Sequence, residues 1–159
     1  MAQLSDLLRW CSESTLIVFI RDSSYGMPAV QSVHLVGMTV LLGAVFLLDV
    51  RLARLGMTEW SARWLERELR PWAIAALTLV LLSGALIFVG TPAKYLASNP
   101  FRFKMAMLAL ATAFHFGLLR RFARSETGRP RSIDVLAAGV SLTLWFAVGW
   151  AGRAIAFVP

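Results

Sequence analysis

The chain has 159 residues, 58% of them hydrophobic and only 16% charged, against about 45–50% apolar in a soluble domain. A chain this short and this apolar lacks the polar surface that keeps a fold in water, and disorder is excluded by the same composition. Cys11 is the only cysteine, which excludes a disulfide-stapled secreted domain. The formal charge is +7, but the basic residues lie between apolar stretches instead of forming one patch. That pattern excludes nucleic acid as the partner and points to loops beside a membrane.

Residues 1–25 lack the pattern of a cleaved signal peptide. Leu4, Leu7, Leu8, Cys11, Thr15 and Val18 recur at helical spacing while Asp6, Arg9, Glu13 and Asp22 are polar. The spacing predicts an amphipathic helix on the membrane surface, anchored by Trp10. The apolar run Thr15–Ile20 is too short to span.

Four apolar segments then follow at about residues 27–50, 71–91, 103–119 and 134–158, each near the roughly 20 helical residues that cross a bilayer. Pro28, Pro71, Pro92, Pro100, Pro130 and Pro159 stand at their edges, where a first helical turn tolerates proline. The expectation is an all-α integral membrane protein: an up-and-down bundle of four transmembrane helices over residues 26–159, with the interfacial helix before it. The connection 51–70 mixes five arginines with Glu59, Glu66 and Glu68, and reads as a short surface helix capped by Thr58. The connections 51–70 and 120–131 hold ten of the sixteen basic residues, which puts them in the cytoplasm and both termini outside. Trp72, Trp145 and Trp150 suit interfacial anchoring. Ala147, Ala151 and Ala154 form a small-residue face on the fourth span that could seat a partner helix or a second copy.

Chemistry is concentrated in two histidines, His34 in the first span and His115 in the third. Intramembrane imidazoles point to function. With Gly37 one turn after His34 and Ala111 one turn before His115, each ring has small neighbours and room for a flat group. The sharp reading is haem b with His34 and His115 as axial ligands and Arg153, Arg21 or Lys104 neutralising its propionates. The plain reading hydrogen-bonds His34 to Gln31 or Ser32, and His115 to Thr112 or Ser141. Depth argues against one shared haem: His34 lies roughly 10 Å and His115 roughly 18 Å into their spans. Copper is the alternative metal, with His34, Met38, Met105 and Met107 as donors. Asp49 and Asp134 fall at span ends near arginines, where solvated ion pairing is expected. With no acid in the interior of any span, ion or proton transport is not expected, and no catalytic constellation appears.

His34-Leu35-Val36-Gly37, Asp49-Val50-Arg51-Leu52, and Asn99-Pro100-Phe101 with Phe103-Lys104 resemble an uncharacterised family of bacterial four-helix inner-membrane proteins, from about Ile20 to Phe157. The resemblance implies the fold and the bacterial inner membrane, and no activity. His34–Gly37 alone is similar to the histidine helix of copper-resistance membrane proteins and haem-b cytochromes, without the four-histidine layout of the larger cytochromes. The expected function is therefore a non-catalytic electron-transfer subunit holding haem b. Its partners would be membrane lipids and other subunits of a complex or further copies of itself. A cofactor-free membrane anchor and a copper-handling protein are the alternatives.

Overall fold

The computed structural model describes residue 10, residues 12–125, residues 131–155 and residue 157. The expected amphipathic positions Leu4, Leu7, Leu8 and Cys11, and the prolines Pro130 and Pro159, lie outside the described residues. Every regular element among the described residues is helical: α1 (Thr15–Asp22), α2 (Gly26–Leu52), α3 (Ala62–Gly90), α4 (Pro92–Ala97), α5 (Asn99–Ala113), a π-helical segment (Phe114–Leu119), α6 (Arg120–Arg124) and α7 (Arg131–Ala154). Four helical stretches, Gly26–Leu52, Ala62–Gly90, Asn99–Arg124 and Arg131–Ala154, are long and apolar enough to cross a membrane.

Helix α1 is short and packs against α2 and α3, burying Ile17 while Phe19 stays exposed. The second long helix starts well before Pro71. Ser61 caps it, its hydroxyl accepting the Trp64 N–H at 3.2 Å, so the mixed-charge segment is the first part of α3 and not a separate helix. Thr58 is no cap: it follows Met57, which with Arg54 adopts a positive φ and turns the chain. Pro71 is tolerated inside α3 because it and Arg67 are exposed. The carbonyl that proline leaves without its helical partner belongs to Arg67, an exposed residue.

The third long helix is capped by Ser98, whose hydroxyl accepts the Phe101 N–H at 3.4 Å. It widens into the π-helical segment before α6. The added residue resets the helical register, so that Ala111 before it and Leu119 and Ala123 after it are all buried.

Helix α2 packs on α3, α5 on α7, and α2 on α7. Met27 lies under Gly90, and Gly37 meets Val80, whose methyl would stand 3.0 Å from a Cβ there. Lys104 lies against Gly152. Leu41, Val45, Ala73, Ala111 and Trp145 form one core cluster, and Leu48, Leu52, Leu119 and Ala137 form a second. Trp145 is 3% exposed, so it is a core residue and not an interfacial anchor; Trp10, Trp72 and Trp150 remain exposed. Ala151 is fully buried within the bundle, which removes the centre of the small-residue face from any outside partner.

The acidic residues depart furthest from expectation. Asp49, Glu66 and Asp134 are buried. Glu66 pairs with Arg120 at 2.9 Å and Arg124 at 3.3 Å, which ties α3 to α6, and Asp134 pairs with Arg54 at 3.7 Å. Packing of the neighbouring helices over the ends of α2 and α7 removes these carboxylates from solvent.

Candidate functional site

A cavity of about 580 Å³ lies between α2, α3, α5 and α7, away from the arginine-rich connections. Its walls are mostly aliphatic and aromatic, with Phe88, Tyr95, Phe101 and Trp145 among them. Size and lining match the usual small-molecule site, an apolar cleft of roughly 300–1,000 Å³ with few polar groups. Two of those groups are His34 from α2 and Lys104 from α5, and no carboxylate lines the cavity among the described residues.

The orientation of His34 follows from its partner. Ser83 Oγ lies 2.9 Å from His34 Nδ1 and 2.6 Å from the Leu79 carbonyl oxygen. The hydroxyl has one proton, and the tautomer that leaves it on the shorter bond to Leu79 has His34 Nδ1–H donating to Ser83 Oγ. In the neutral form of that tautomer Nε2 carries the lone pair. A fixed tautomer with its outer nitrogen hydrogen-bonded is how proteins hold a metal-ligating imidazole. Gly84 gives the ring its place: a Cβ there would stand 3.2 Å from His34 Cε1. Gly152 does the same for Lys104, since a Cβ would stand 3.2 Å from its Nζ. Met38 and Met105 add two thioethers to the same walls.

The chain belongs to DUF6644, a family of unknown function. The match runs over residues 7–158, nearly the whole chain. No curated protein and no solved structure matches it. The family membership carries the uncharacterised-family resemblance and leaves function to the site itself.

The other expected site residues are elsewhere. His115 lines a separate void of about 10 Å³ beside Glu66, Arg70 and Arg120, room for about one water. Its Nδ1 has no hydrogen-bond partner, and its ring stands edge-on to Phe116 and Trp145 at 5.1 and 6.4 Å between centroids. Neither expected hydrogen bond to Thr112 or Ser141 forms. Gln31 and Ser32 likewise leave His34 to Ser83; the Ser32 hydroxyl donates to the Pro28 carbonyl instead. Gly37 and Ala111 do not open space beside the imidazoles, because Val80 fills the first position and the core cluster the second. Arg153 lies over the Phe157 ring at 4.8 Å and borders a shallow groove with Trp150, outside the His34 cavity. Met107 packs against the core, so the copper donor set reduces to His34, Met38 and Met105.

Among the described residues no group of three or more His, Cys, Asp or Glu side chains converges as a metal site. Sequence reasoning missed Ser83, Gly84 and Gly152. Their signal is contact with another helix, and His34 and Ser83 are 49 positions apart.

Proposed function

We propose that the protein is a multi-pass subunit of the bacterial inner membrane that binds haem b in the His34 cavity and carries electrons for a larger redox assembly. The observation that carries this reading is the polar inventory of the cavity. It offers one imidazole hydrogen-bonded through Nδ1 to Ser83, one lysine with no carboxylate among the described lining residues, two thioethers and the Tyr95 phenol, within otherwise apolar walls. Haem b would use the imidazole, the lysine and a thioether: its iron would take the neutral nitrogen and the soft sulfur, and a propionate would take the cation. A simple fatty acid would engage Lys104 and leave His34 idle.

In this reading His34 would hold the iron, with Ser83 orienting its ring. Lys104 would bind a propionate, and Met38 or Met105 would supply a thioether ligand. When bound, the haem supplies reversible one-electron chemistry. Phe88, Phe101 and Trp145 exclude water from it. His115 has no axial role, because it lines a different and much smaller void.

The arginine-rich connections support a cytoplasmic placement, with both termini and the cavity toward the outer side. The residue pairings of α2 with α3 and of α5 with α7 support an up-and-down bundle. A chain with so little extramembrane mass needs partner subunits to donate and accept electrons.

A copper-handling reading has one observation in its favour: His34, Met38 and Met105 line the same cavity, and such donors select Cu(I). A cavity of about 580 Å³ far exceeds one ion, which favours the haem. Purification of His34→Ala and His115→Ala from a haem-replete host separates the possibilities. The expected outcome is loss of haem from His34→Ala and retention in His115→Ala. Equal loss from both variants would contradict the assignment. Copper bound in proportion to intact Met38 and Met105, without haem, would favour the alternative.

A further inference from the structure

The haem reading leaves unused a carboxyl group buried toward the arginine-rich end. Asp49 in α2 is 0% exposed, and neither of its carboxyl oxygens has a hydrogen-bond partner. The side chain that faces it is Ser141 of α7, 1% exposed and also without a completed hydrogen bond.

Hydroxyls inside these helices ordinarily donate to the carbonyl one turn back, as Thr39, Thr78, Ser83 and Thr143 do. Ser141 does not, so its hydroxyl remains available to Asp49.

The charged groups on neighbouring elements are engaged elsewhere. Arg51 donates to the Trp60 carbonyl, Arg54 pairs with Asp134, and Glu66 is held by Arg120 and Arg124. His115 meets Phe116 and Trp145. Neither Asp49 nor Ser141 lines the His34 cavity, the void beside His115 or the Trp150 groove. Leu48, Leu52, Ala137 and Ala138, their neighbours along α2 and α7, form a buried apolar cluster, which gives a hydrated metal ion no evident place.

An ionised carboxylate would be a buried charge without a partner, and such groups neutralise instead. A proton meets the need without requiring space. The carboxyl O–H then donates to Ser141 Oγ, and the serine O–H donates to the other carboxyl oxygen. We infer that Asp49 and Ser141 form a proton-binding site within the bundle, with the carboxyl kept as the neutral acid by its complete burial without a counter-charge and with the serine hydroxyl as its polar neighbour. This replaces the solvated ion pairing expected for Asp49, and it is independent of what occupies the His34 cavity. The bound proton lies one turn along α7 from Trp145, whose indole lines that cavity.

Infrared spectroscopy of the detergent-purified full chain tests this at neutral pH, with and without carboxyl-13C aspartate. The expected spectrum has the carbonyl stretch of a protonated carboxylic acid, shifted by the label, absent in Asp49→Asn and present in Asp134→Asn. Absence of a label-sensitive acid band in the wild-type chain would overturn the proposal, as would a band that survives Asp49→Asn. Should Asp49→Asn fail to fold, Ser141→Ala remains decisive. The band must persist and move to higher frequency there, and an unmoved band would overturn the pairing.

Discussion

Ser83 decides what His34 can do. With its hydroxyl proton on the Leu79 carbonyl, its oxygen can accept from Nδ1, and in that tautomer the lone pair is on Nε2. Outer partners of ligating histidines are worth about 10–100-fold in metal affinity, so Ser83→Ala is expected to weaken haem retention by that amount. Titration of apoprotein with haem measures it. Lys104→Met removes a charge-assisted contact of about 1.5–3 kcal/mol, and the same titration should show about a tenfold to hundredfold loss. An unchanged affinity in both variants would remove these residues from the site. His34 itself was legible in the sequence, as an imidazole within an uncharged stretch. His115 was equally legible and misleading, because sequence marks an intramembrane imidazole but not which cavity it lines. Asp134 keeps its expected arginine partner, Arg54, but the burial of Asp49 and Asp134 was not legible: position at the end of an apolar run does not reveal whether a neighbouring helix covers it.

The elements themselves were largely legible, since stretches of about 20 uncharged residues leave few options. Their ends were not. In the sequence Pro71 reads as a start signal, whereas α3 begins at Ala62 behind the Ser61 cap. An exposed proline removes a hydrogen bond where outside groups can replace it, so it need not end a helix. The π-helical segment had no sequence signature, because register resets arise from the fit of one helix against two neighbours. It accommodates Ala111 before the widening together with Arg120 and Arg124, which reach Glu66 after it. Loss of an N-cap typically costs about 1 kcal/mol. Ser61→Ala should lower stability by about that amount, and Ser61→Asp should restore it, as read by thermal unfolding in detergent. An unchanged melting temperature in Ser61→Ala would show that tertiary packing alone fixes the start of α3.

At the scale of the whole molecule, charge and apolarity are arranged along one direction. The arginine-rich connections meet the buried acids at one end, and the His34 cavity opens among apolar helices toward the other. The proposed orientation places Glu59 in the cytoplasm. With Cys11→Ser in the background, Glu59→Cys should react with a membrane-impermeant maleimide only after the cells are permeabilised, and labelling of intact cells would invert the topology. The central claim is that the cavity holds haem through His34, and a visible absorption spectrum of the purified wild-type protein, oxidised and then reduced with dithionite, tests it most directly. The account predicts a Soret band with sharp α and β bands on reduction, and iron near one equivalent per chain. A featureless spectrum and no iron, from a host replete in haem, would contradict it.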